Sequence, residues 1–178
     1  MKKQLLIFLL LFIFLGSGQR VFAQAISTSE ASLNVQYALP YAGILPDNPL
    51  YFLKALRDNL WNLFITDPLQ KADYDLLMAD KRVGAASSLL DKGEVDLAIT
   101  TLSKSGNYFY LAIQQASLAK KQGENVNDIL AKLINASLKH QQVIFAMEEK
   151  THGSARLVLQ VSQKRAEEFE KSVEQLKP

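Results

Sequence analysis

The chain has no cysteine among its 178 residues. That excludes a disulfide framework and a thiolate metal site, and it excludes a lipid-modified amino terminus, which needs a cysteine for attachment. Histidine is nearly as scarce: His140 and His152 are the only two. A transition-metal site needs several converging His, Cys or carboxylate ligands, so no metal and no cofactor is expected. The eight glycines form no phosphate-cradling loop, no dinucleotide fingerprint and no Gly-x-Ser-x-Gly elbow. There is no block of basic residues either, and the net charge is only +2. Nucleic acid is therefore not an expected partner. No segment alternates with period two for long enough to make a strand.

Long apolar runs are absent with one exception. Leu5 to Leu15 is an uninterrupted apolar run of eleven residues behind Lys2 and Lys3. A spanning helix needs about 20, so this pattern is that of a signal peptide. Ala23-Gln24-Ala25 supplies a small-x-small cleavage site, with Val21-Phe22-Ala23 two residues earlier. The expectation is an extracytoplasmic chain, secreted or in the cell envelope, cut near Ala23 or Ala25. If the segment is kept, it is the chain's membrane anchor. Cleavage after Ala25 would remove Lys2, Lys3 and Arg20 and leave 17 basic against 18 acidic residues in a mature chain of 153. That length suits one domain held by its apolar core alone.

Residues 26–36 are short and polar and read as a flexible spacer. Pro40, Pro46 and Pro49 then crowd a stretch of ten residues. Each proline pushes its predecessor toward extended geometry, so residues 37–48 are expected to form a rigid strap. Its Tyr37, Leu39, Tyr41, Ile44 and Leu45 need a surface to cover, and the ends of the first two helices are the nearest. Asn48-Pro49 and Asp67-Pro68 each read as a cap followed by proline at the first helical position, with Gln70 completing a capping box at the second.

The spacing of apolar residues predicts five helices, over about 49–65, 68–92, 94–121, 126–150 and 155–177. In the first, Leu53, Leu56, Leu60, Leu63 and Phe64 keep helical spacing. Gly93 and Gly123 end the second and third. Asn125 and Ser154 are the expected caps of the fourth and fifth. The fold class is all-α, an antiparallel helical bundle in the domain 37–178, since the connections are short.

Three stretches, "PYAGILPDNPLYFLKALRD", "TDPLQKADYDLLMADKR" and "LLDKGEVDLAI", carry a resemblance. They are similar to a bacterial group of exported proteins sharing a helical domain of unknown function. That group opens with Pro-Gly-x-x-Pro-Asp-x-Pro-Leu-Tyr. The matching positions are Gly43, Pro46, Asp47, Pro49, Leu50 and Tyr51, followed by Lys71, Ala72, Ala79, Lys81 and Arg82. Ala42 stands where the family often has proline. The resemblance covers about residues 37–115. It implies a location and a fold class, gives these positions structural roles, and transfers no catalytic residue.

The chemistry that is present is thin. Asp91, Glu94 and Asp96 gather as a calcium loop would, but without its spacing or distal Glu, so a capped interhelical turn is expected. His140 lies on the stripe of the fourth helix between Leu133 and Met147 and reads as a satisfied core residue. On that reading His140→Leu leaves thermal stability within about 1 kcal/mol or improves it. Trp61, Tyr108 and Tyr110 are the candidate binding surface, an aromatic platform for an envelope protein or a polysaccharide. The composite expectation is a non-catalytic binding or structural module of the cell envelope. Two alternatives stay open: a small carboxylate-dependent envelope hydrolase, marked by a carboxylate pair in a cleft, and a periplasmic chaperone-like protein, marked by a concave apolar face.

Overall fold

The computed structural model describes residues 35–177. Five helices follow one another: α1 (Tyr51–Phe64), α2 (Pro68–Asp91), α3 (Val95–Lys121), α4 (Asn127–Glu149) and α5 (Gly153–Glu174). No strand occurs among the described residues, and none of their helices is long and apolar enough to cross a membrane. The chain is all-α.

The helix ends follow local chemistry. Asp67 is extended and its Oδ1 accepts the Gln70 N–H at 2.7 Å, with Pro68 opening α2. At the other end Gly93 takes φ +83°, the Glu94 N–H returns to the Leu89 carbonyl at 2.9 Å and the Gly93 N–H to Leu90 at 2.9 Å. This paired closure satisfies carbonyls that a helix end leaves free. Three other caps differ from expectation. The Asn48 side chain accepts from the Leu50 N–H at 2.8 Å, making a turn before the helix, and α1 begins at Tyr51 behind an uncapped Leu50. Asn125 likewise bonds the Asn127 N–H at 3.1 Å one position too early to be the cap of α4, which is Val126. Ser154 lies inside α5, whose cap is His152. In each case a short polar side chain closes a local turn as readily as it caps a helix.

α2, α3, α4 and α5 form the bundle. The α2–α3 and α4–α5 hairpins are antiparallel, and the α2–α3 seam is the most extensive. That seam is lined by Ala72, Ala79 and Ala86 from α2 and Ala98, Ala112, Ala116 and Ala119 from α3, all wholly buried. Side chains this small let two helices approach closely along their length. α2 packs beside α4 and α3 beside α5. Asp73 meets Lys132 and Asp91 meets Lys150, so α2 and α4 run parallel. The short link between α3 and α4 thus crosses the bundle diagonally instead of joining neighbours. Two apolar clusters fill the interior. One centres on Phe109, Leu130 and Leu133, the other on Leu89, Leu102, Met147 and Leu159.

The apolar stripe of α1 is not a core face. None of its residues is buried. Leu53, Leu56 and Leu60 are about half exposed, and Leu63 and Phe64 are 76% exposed. The spacing is helical, as the sequence requires, but the stripe faces away from the bundle. We therefore expect Leu133→Ala to destabilise the chain by about 2–5 kcal/mol and Leu60→Ala to change it by no more than about 0.5 kcal/mol. Urea unfolding of the two variants measures both; equal losses would mean that α1 belongs to the core.

Candidate functional site

The motif residues gather where residues 35–48 and α1 meet α2. Gly43 takes φ +72°, a conformation that favours glycine. The turn it makes presents the carbonyls on either side to one ammonium: Lys54 Nζ donates to Ala42 O at 2.5 Å and to Ile44 O at 3.2 Å. Burial lowers the Lys54 pKa, with Asp58 opposing that shift. Pro46 and Pro49 flank Asp47, which pairs with Lys92 at 2.7 Å beyond the end of α2. Leu50 is 55% exposed at the start of α1. Lys71 reaches the carbonyl of Asn62 at 3.3 Å and also its side-chain oxygen. The Tyr74 hydroxyl donates to the Asp58 carbonyl at 2.7 Å, and burial followed by the Asp58 charge pushes its pKa up to about 12. Ala72 and Ala79 are wholly buried in the α2–α3 seam.

Beneath α1, Tyr51, Lys54, Asp58, Lys81 and Arg82 line a gap of about 10 Å³, room for one water and nothing larger. The Arg82 guanidinium lies 4.1 Å from the centre of the Tyr108 ring and donates to Met78 O at 3.1 Å. Tyr108 is thus covered by Arg82. Tyr110, two residues on and so on the opposite side of α3, is 49% exposed. Trp61 is 65% exposed on the outward side of α1. These three aromatics occupy separate positions, and Trp61 keeps company with the leucines of α1.

Asp80, on the buried face of α2, was missed in the sequence. Its Oδ2 accepts from the Tyr37 hydroxyl at 2.6 Å and its Oδ1 from His140 Nε2 at 2.7 Å. His140 also meets the Phe109 ring edge-on at 5.2 Å. Residues 43 and 60 positions distant are thereby tied to one carboxylate. Tyr37, Leu39 and Leu45 pack against the two clusters, whereas Tyr41 is 89% and Ile44 40% exposed. Burial and the Asp80 bond push the Tyr37 pKa up. Asp80 and His140 are both buried, and the buried serines Ser105 and Ser137 each donate to a backbone carbonyl. His140 is buried as expected, but its bond to Asp80 overturns the neutral outcome for leucine. His140→Leu strips one of two donors from a buried carboxylate and should cost about 1–3 kcal/mol. Tyr37→Phe should lose about 1 kcal/mol; urea midpoints of the two variants test both values.

Asp75 has no such partner. It is 1% exposed, and neither carboxyl oxygen finds a hydrogen bond among the described residues. Burial raises its pKa to about 6, partly offset by Lys71. Because the folded pKa lies above the unfolded value of 3.8, the folded chain holds the proton more tightly, and stability falls as pH rises from about 4 through 6. Asp75→Asn should therefore flatten that fall and unfold at higher urea than wild type at pH 7, by on the order of 2–3 kcal/mol. A parallel fall in both proteins between pH 4.5 and 7 would contradict the assignment.

The larger concavities are open surface grooves. One of about 430 Å³ holds Glu148 and Glu167 with Lys164, but Glu148 is bound by Arg156 at 3.2 Å and Gln160 at 2.9 Å. Among the described residues no three His, Asp or Glu come together as metal ligands. The feature that stands out is the outward arc of α1, where Leu50, Phe52, Leu53, Leu56, Leu60, Trp61, Leu63 and Phe64 are each at least half exposed. At about 100 Å² or more apiece they exceed the ~300–600 Å² patch of a typical monomer.

Comparison with curated proteins and with solved structures found no match. A family model matches residues 43–177, from the Gly43 turn through α5. The match runs well past the 37–115 resemblance read from the motifs and takes in α4 and α5. The motif positions at the α1–α2 seam and the four-helix body beneath them thus fall within a single family unit, and the chain belongs to the family described as a domain of unknown function (DUF5667).

Proposed function

We propose that the chain is an exported, non-catalytic binding module of a bacterial cell envelope, and that α1 is its binding element. One observation carries the reading: a 14-residue helix turns seven large apolar side chains away from the core, and Leu50 just before it adds an eighth. The polar bonds beneath α1 set which side faces inward, but folding of the monomer does not require the outer side to be apolar. The other features are consistent with it. Polar bonds hold the inner side of α1, so the helix stays folded while its outer side is open. The buried acids, Asp75 and Asp80, line neither the surface groove at Glu148 nor the gap beneath α1. Lys2, Lys3, the Leu5–Leu15 run and Ala23-Gln24-Ala25 support export.

The test begins with the processed chain collected from an exporting host, whose N-terminal sequence is expected to start at Gln24 or Ile26. That chain should bind an isolated envelope fraction. A Leu56→Gln, Leu63→Gln double variant should bind it roughly 100-fold more weakly with an unchanged melting temperature. Equal binding by the two chains would remove α1 from the reading, and a full-length chain held in the membrane would contradict cleavage.

A further inference from the structure

We propose that the surface covered by α1 is the lipid bilayer itself: α1 lies in the plane of the membrane–water interface with its apolar arc in the acyl boundary. This rests on the reading of α1 as the binding element and names what it binds.

The argument starts from how the side chains divide around α1. At 100° per residue, Tyr51, Lys54, Ala55, Asp58 and Asn62 share one side, and all five are at least partly covered by the body of the domain. Phe52, Leu53, Leu56, Leu60, Trp61, Leu63 and Phe64 take the other, with Leu50 continuing it. Their arc covers about half the circumference. A single partner helix needs only the narrow seam of a coiled coil. A half-circle of leucine, phenylalanine and tryptophan suits a flat apolar medium.

A second copy fits less well. α1 is 14 residues long, roughly 21 Å, and about 10 Å wide. Two such helices packed together cover one seam each, so the flanks of a half-circle arc would stay in water. The polar composition points the same way. Arg57 falls inside the arc between Phe64 and Trp61, pairs with Asp58 at 2.7 Å and has a side chain 70% exposed. Its stem is long enough to keep the charge at headgroup level while the neighbouring side chains go deeper. Trp61 lies at the edge of the arc, where an indole favours an interface.

The rest of the chain supplies the geometry. The only long apolar run in the sequence, Leu5–Leu15, precedes the described residues by nineteen positions. Nineteen residues reach at most ~65 Å. Until cleavage, that run holds the chain at a membrane and α1 is delivered within reach of the same bilayer. Lys54, Arg57 and Asp58 are the only charges on α1, so binding is driven mainly by apolar area and depends little on anionic lipid.

Trp61 is the only tryptophan in the chain, so its fluorescence reports on α1 and not on the Leu5–Leu15 run. The full chain is mixed with phosphatidylcholine vesicles, and with vesicles of equal parts phosphatidylcholine and phosphatidylglycerol. The expected result is a blue shift of Trp61 emission on both, with quenching by lipids brominated in the upper acyl chain. The signal should persist in high salt, and Leu56→Gln with Leu63→Gln should weaken the partition roughly 100-fold. Circular dichroism and urea unfolding of that variant verify that it folds. In the vesicle assay three results overturn the proposal: a chain that sediments with vesicles while Trp61 still emits as in water; no sedimentation at all; or a blue shift that grows with protein concentration without lipid, which assigns the face to a second copy. Envelope binding that is still lost in the α1 variant, yet is abolished by protease treatment of the envelope fraction, would sink the lipid proposal and leave α1 as a docking element for a protein.

Discussion

The orientation of α1 depends on the polar groups beneath it. Lys54 is held between the Ala42 and Ile44 carbonyls, Asp58 and Asn62 offer their carbonyls to Tyr74 and Lys71, and Arg82 lies across Tyr108. The upper surface of α2 is therefore a row of cations and hydroxyls with Asp75 buried close by. An apolar stripe laid on that row would leave each of those groups without a partner, at about 1–3 kcal/mol apiece. With the polar side of α1 inward, the groups are satisfied and the apolar side is left outside. Net hydrogen-bond contributions are only about 0.5–1.5 kcal/mol each, so α1 is attached firmly enough to stay helical and loosely compared with the bundle.

The bundle itself does not need α1. Its alanine-lined α2–α3 seam and two apolar clusters involve α2 to α5 and a few side chains from residues 35–48. Asp80 has a different role from the apolar packing. It fixes the register between α2 and α4 and fastens Tyr37 to both, because a buried carboxylate is tolerable only where its donors are in place. Asp75, lacking such donors, is a standing weakness that protonation relieves. Two aspartates five residues apart on one helix thus act in opposite directions, and only the partners they meet distinguish them.

Much of the bundle was legible because helix ends are local. Asp67-Pro68 and the two glycine closures rest on chemistry within five residues, so the ends of α2 and α3 were readable within a residue. Asn48, Asn125 and Ser154 were not, since a short polar side chain can close a turn or cap a helix with equal ease. The stripe of α1 was readable as a helix but not in direction. Leu53, Leu56, Leu60 and Leu63 carry the period of a core face, and the polar surface that turns them outward belongs to α2, out of sight of any local pattern. His140 was legible as buried, because it replaces an apolar residue at a stripe position. Its partner was not, although Asp80 sits one turn from both Leu76 and Val83, and a polar residue on that face is the signal that would have found it. Among the motif positions, Gly43 and Lys71 turn out to act on α1, through carbonyl placement and a hydrogen bond to Asn62, which their spacing alone did not reveal.

The central claim is that α1 is a peripheral helix whose apolar side is not part of the core. Hydrogen exchange of the free chain measures this most directly, because it resolves how easily each helix opens. The account predicts that amides of α1 exchange at least ~100-fold faster than those around Phe109 and Leu133 in α3 and α4, reporting a local opening well below global unfolding. Protection of α1 equal to that of the bundle would contradict it, and would mean that the apolar arc is covered within the chain itself.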